Sequence, residues 1–238
     1  MNKLLFIWLI FVAGWYLIPW WNRVYFLWDD IELLMQLRHP TLEAFFASHQ
    51  YQFFPVFLFL YSLETNLFGV NPGAFLTVSV GLHVINIWLV YILINKLTKN
   101  NLLSLLASVL VSFNKSYFTV VFWPTIQSNI LLTTWLLLAL LLFLELKHKL
   151  SLNKLAKFIT LILLAGLSFG FGIGVGFIFS IAAWLFIRNR SRLLLTISSL
   201  IVGVATALIL LKFSLLEVQQ AQVFSLSGSR LFNITYFT

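Results

Sequence analysis

Residues 158–187 read FITLILLAGLSFGFGIGVGFIFSIAAWLFI, without one charged side chain. As a single α-helix this run would extend about 45 Å, well beyond a hydrocarbon core of about 30 Å. Gly170, Gly172, Gly174 and Gly176 interrupt it near the middle, with Lys154 and Lys157 before it and Arg188, Arg190 and Arg192 after it. Two short helices meeting at the glycines would put both basic flanks on one side of a membrane. A single tilted, glycine-packed helix is the alternative, and the hairpin is preferred because it keeps the basic residues together.

Outward from this run, further apolar stretches occupy 4–20, 73–95, 102–123, 130–146 and 193–211. With the hairpin they make about seven spans. Apolar residues form 61% of the 238-residue chain and charged residues 9%, with a mean hydropathy of +0.98. A soluble domain of this size needs far more polar cover, and a disordered chain would have far less to bury. The expected fold is all-α: a polytopic membrane helix bundle in one module over 1–238. The first stretch is read as an uncleaved anchor, because no small-residue cleavage site follows it. Cysteine is absent, which excludes disulfides and thiolate metal sites.

The net charge of +8 is read as topology and not as a nucleic-acid signal. The segment 53–68 decides the arithmetic. If it lies on the membrane surface and does not span, ten basic residues fall on the side of Lys3, Lys96 and Arg188. Four, namely Arg23, Arg38, Lys212 and Arg230, then fall opposite. If it spans, nine of the ten change sides. The positive-inside bias therefore makes 53–68 an interfacial or re-entrant helix and 22–72 the first outer loop. That loop holds Asp29, Asp30, Glu32, Glu43 and Glu64, five of the seven acids. Two short amphipathic helices are expected in it on either side of His39-Pro40, lying on the outer surface. An active site at the membrane boundary is one reading of the loop, and an ordinary solvated loop is the other.

Asp29 and Asp30 are adjacent, so they cannot point the same way at a helix start. One can cap free amides while the other faces a cavity, where it can take a proton or help hold a divalent cation. Both can also simply favour the helix amino terminus. Lys115 lies within the span 102–123, on one face with Ser104, Ser108, Ser112 and Thr119. It is either a phosphate contact or a packed lysine snorkelling to the boundary. Ser79, His83 and Asn86 form a similar stripe read as packing. His49 and Gln52 stand where the loop meets the membrane and could touch a sugar. Glu145 and Lys149 have the spacing of an i,i+4 pair.

An anchor helix, the exit Pro19-Trp20-Trp21, the pair Asp29-Asp30, the run Leu67-Phe68-Gly69-Val70-Asn71-Pro72 and then Leu82-His83 with Asn86 follow one another. This order resembles the amino-terminal module of GT-C membrane glycosyltransferases, which include protein O-mannosyltransferases, aminoarabinose transferases and many bacterial polytopic transferases. The likeness covers roughly 1–146. It implies a catalytic acid in the first outer loop, a sugar donor on a polyprenyl phosphate, inverting transfer, and a bacterial inner membrane with the active site on its outer face. By position Asp29 and Asp30 match the family's acidic pair. Lys115, His49, Gln52 and Gln127 are the expected substrate contacts, and a divalent cation on Asp29 and Asp30 is the one cofactor considered. The partners implied are the lipid-linked sugar and membrane lipid. The chain departs from the pattern twice: the second outer loop, 123–129, has no acid, and the glycine-rich turn has no lysine. Those departures raise the alternative of a non-catalytic accessory or incomplete member, and a lipid or solute transporter is a further alternative. Related transferases continue with more helices or an outer domain, so more chain is expected beyond residue 238.

Overall fold

The computed structural model describes residues 3–38, 41–46, 53–147, 150–188 and 191–235. Among them are eleven α-helices and no strand: α1 Lys3–Leu17, α2 Trp28–Leu37, α3 Leu42–Phe46, α4 Pro55–Phe68, α5 Pro72–Thr98, α6 Asn101–Ser112, α7 Lys115–Phe122, α8 Gln127–Leu146, α9 Leu152–Gly166, α10 Gly174–Phe186 and α11 Ser191–Thr235. Two short 3₁₀ turns, Pro124–Ile126 and Gly170–Ile173, precede α8 and α10. The all-α expectation holds.

Among the described residues, three stretches, Pro72–Thr98, Pro124–Leu146 and Ser191–Phe213, are long and apolar enough to cross a membrane. The other expected crossings are built from shorter helices. α1 and α9 have 15 residues each and α10 has 13, so none exceeds about 23 Å. The run 102–123, expected as one helix, is two. α6 stops at Ser112 and α7 begins at Lys115. The carbonyl freed at this break is put to use, because Tyr16 of α1 donates its hydroxyl to Ser112 O at 2.8 Å. Ser104, Ser108 and Ser112 are fully buried on α6, whereas Lys115 and Thr119 are exposed on α7. The five residues therefore do not share one continuous helical face.

The hairpin expected in 158–187 is present. α9 and α10 reverse through the Gly170–Ile173 turn, and Phe158 meets Phe179 edge-on at 5.1 Å. A Cβ at Gly172 would lie 2.3 Å from Ala165 O, and one at Gly176 2.4 Å from Gly203 N. Glycine at these points lets the turn close and lets α10 lie backbone to backbone on α11. α11 continues as helix past Leu211 to Thr235.

Local signals set the other joints. Asn71 caps α5 by accepting from Ala74 N at 3.3 Å, followed by Pro72 at the first helical position. Asn100 caps α6 by accepting from Leu102 N and Leu103 N. Gly69 ends α4 with φ at 59°, in the left-handed region that glycine tolerates.

The two ends of the bundle differ in charge. At one end Glu145 of α8 takes Lys96 of α5 at 2.9 Å and Lys154 of α9 at 2.7 Å. Glu145 thus ties three helices together; Lys149, its expected i,i+4 partner, lies outside the described residues. Chain order puts Lys3, Lys99, Lys147, Arg188 and Arg192 at this same end. At the opposite end α2, α4, the first turn of α5 and the start of α8 share one apolar core. Leu33, Leu34 and Leu37 pack there with Phe57, Leu58, Tyr61, Phe75 and Leu131. Val56 N at the start of α4 donates to Leu167 O beyond α9. Both termini of α4 stay at this end of the bundle.

Candidate functional site

The end opposite Glu145 is organised around a buried carboxylate. Asp30 is the third residue of α2 and is fully buried. An acid at this position can reach back to the free amide before the helix, and Asp30 Oδ2 accepts from Leu27 N at 2.8 Å. Its Oδ1 accepts from Thr125 N at 2.8 Å and from the Thr125 hydroxyl. The first acidic segment is thereby pinned to the Pro124–Ile126 turn. Burial pushes the Asp30 carboxyl above its usual range. The three donors pull the other way and the neighbouring Asp29 charge adds to the rise.

Tyr61 of α4 donates its hydroxyl to the Asp30 carbonyl oxygen at 3.1 Å. Burial first, then the charges of Asp30 and Glu64, raise the Tyr61 hydroxyl above its ordinary value. Glu64 lies one turn further along α4 and is 2% exposed. Burial pushes its carboxyl up to about 8, with the Gln127 side chain acting in the opposite direction. Gln127, the first residue of α8, is buried and donates from Nε2 to Ser79 Oγ of α5 at 3.1 Å. The cluster therefore joins α2, α4, α5, the Pro124–Ile126 turn and α8.

Two clefts flank it. One of about 310 Å³ is walled by Trp20, Arg23, Tyr25, Phe118, Phe122 and Trp123. The other, about 640 Å³, runs between α2 and α4 past Phe26, Ile31, Arg38, Thr65 and Asn66. Each cleft contains one arginine among mostly apolar and aromatic walls, a composition suited to an anionic group carried on an apolar molecule.

The expected site residues are only partly brought together. Asp29 is half-buried at the start of α2, beside the locked Asp30. Gln127 joins the cluster but faces Ser79 and Glu64. Lys115 is exposed at the start of α7 and lines neither cleft. His49 and Gln52 lie outside the described residues. Asp30 directs both oxygens to protein donors, and no group of three or more metal-ligating side chains gathers among the described residues. This donor set does not fit a divalent cation.

Sequence reading missed three contributors: Glu64, Thr125, and the arginines of the clefts. Glu64 had a signal, being the one charged residue in a largely apolar helix. Thr125 had none, since its partner is 95 positions away. His83, read as packing, is fully buried with its ring edge-on to Tyr16 at 5.5 Å.

No family model, curated protein or solved structure matches this chain.

Proposed function

We propose that the chain is a multi-pass membrane protein whose Asp30 end faces outward, and that it is an inverting glycosyltransferase using a polyprenyl-phosphate sugar. The observation that carries the reading is the division of labour in the acidic pair. Asp30 is spent on Leu27 and Thr125, which fixes the start of α2 and leaves Asp29 as the half-exposed carboxylate. In the reaction, Asp29 takes the proton from an acceptor hydroxyl. The hydroxyl oxygen bonds to the sugar's anomeric carbon from the face opposite the phosphate. The anomeric carbon–oxygen bond breaks, and its electron pair leaves on the lipid phosphate. That leaving group departs more readily when its charge is balanced, and Arg23 in the aromatic cleft is a cation suited to the task.

Orientation is supported by the gathering of basic side chains at the Glu145 end, the side that would face the cytoplasm. The chain has no cysteine, so cysteines introduced singly at Asn71 and Ser151 report cleanly. They are expected to react with an impermeant thiol reagent from opposite sides of sealed vesicles. Labelling from one side only would overturn the arrangement.

The activity is tested by incubating the purified chain in liposomes with a radiolabelled polyprenyl-phosphate sugar and a panel of hydroxyl acceptors. Transfer with inversion is expected. Donor binding without turnover would replace this reading with that of an accessory protein. Neither binding nor turnover would remove the lipid-linked sugar altogether.

A further inference from the structure

Glu64 and Gln127 lie side by side in the buried cluster, and three of their side-chain oxygens lack a partner. Neither oxygen of Glu64 has a hydrogen-bond partner, and neither does Gln127 Oε1. Buried polar groups are almost always paired, and a bare buried carboxylate is among the costliest groups to leave alone. Turning the Gln127 amide end for end would offer one N–H to one oxygen. That would still leave the second oxygen unpartnered and a buried negative charge unbalanced.

Among the described residues, the surroundings supply no cation. On α4 itself the titratable neighbour is Tyr61. From α2 the group facing this region is Asp30, which is acidic and lies beyond Tyr61. Arg38, directly after α2, lines the cleft with Thr65 and Asn66, and Glu64 is not part of that wall. α5 presents Ser79 through Gln127, with His83 one turn further along. The acid of α8, Glu145, is at the opposite end.

We propose that the missing donor is a proton on Glu64 itself, so that Glu64 stands as a neutral carboxylic acid whose O–H donates to Gln127 Oε1. One proton then satisfies a carboxyl oxygen and an amide oxygen together and removes the buried charge. The strong upward push of burial on this carboxyl acts in the same direction. The site is a proton-binding site with a mechanical consequence. Gln127 opens α8 and directly follows the Pro124–Ile126 turn, whose Thr125 grips Asp30. A proton on Glu64 therefore holds Gln127, the turn and the α2 start in register. Loss of the proton sets a buried anion against an acceptor, on the far side of Tyr61 from a second acid. Glu64 is a positioning residue in this scheme. The inference goes beyond the transferase reading and does not depend on it.

Infrared spectroscopy of the full chain in lipid, with its glutamates carbon-13 labelled, tests the proposal without any transfer assay. At about pH 6 the spectrum should contain the carbonyl stretch of a neutral glutamic acid, fading as pH rises through about 8. Glu64→Gln should lack it. Gln127→Leu should retain it at the frequency of an acid without a hydrogen-bond acceptor, which assigns the band even if Glu64→Gln fails to fold. Absence of a neutral-glutamate band in the parent at about pH 6 would overturn the proposal. A band left unchanged by both variants would do the same, as would a carboxylate band that responds to added sodium, the sign of an ionised Glu64 balanced by a bound cation.

Discussion

Under the proposed transferase reading, changing Asp29 to asparagine is expected to lower the rate of sugar transfer by about 10² to 10⁴, the usual cost of removing a general base. The protein should remain folded and continue to bind donor. The amide is nearly isosteric with the carboxyl, and the bonds that hold α2 in place belong to Asp30. The neighbouring substitution separates the roles. Asp30→Asn replaces one acceptor oxygen with an NH₂, which would confront either Leu27 N–H or the two Thr125 donors. Its main effect should therefore be on folded yield and thermal midpoint. Rates per folded molecule, with donor binding measured in parallel, distinguish the two outcomes. Transfer by Asp29→Asn at the parental rate would take the base away from Asp29.

How much of this was legible in the sequence depends on the range of the interaction. The hairpin within 158–187 was legible because its causes are local: a run too long for a bilayer, glycines at its centre and basic residues at both flanks. The all-helical class followed from composition. The idea that one acid of the Asp29-Asp30 pair would cap a helix was also local, and Asp30 fills that role. The break between α6 and α7 was hidden, because Phe113 and Asn114 include neither proline nor glycine. It is accommodated by Tyr16 and by buried Ser112, neighbours that only the folded bundle provides. Lys115 could be placed on the serine face only by assuming one unbroken helix. Glu64 was legible as an oddity in an apolar segment, but Gln127 stands 63 positions away and no spacing rule joins them. The site was thus half visible, as residue types without their pairings.

Glu64 makes the stability of the protein fall as pH rises, and this is the second large effect expected. Its carboxyl is raised from 4.5 to about 8 in the folded chain. Between those values the folded state holds a proton that the unfolded state has released, so stability declines with increasing pH. The contribution is fully present below about pH 4.5, falls progressively above it and is gone once pH passes about 8. Integrated over that interval it amounts to roughly 5 kcal/mol, large against the 5–15 kcal/mol of a typical domain. Asp30 is raised as well and contributes with the same sign, so the parent profile alone does not isolate Glu64. The difference between parent and Glu64→Gln does, because glutamine keeps the shape and cannot ionise. Unfolding in mild detergent, followed by tryptophan emission from about pH 5 to 9, should show the parent losing stability and the variant remaining nearly level. The two curves should therefore diverge most at the alkaline end, where the variant is the more stable protein. Parallel curves across the range would mean that Glu64 is ionised in the folded chain, with a charge balanced by something other than a proton.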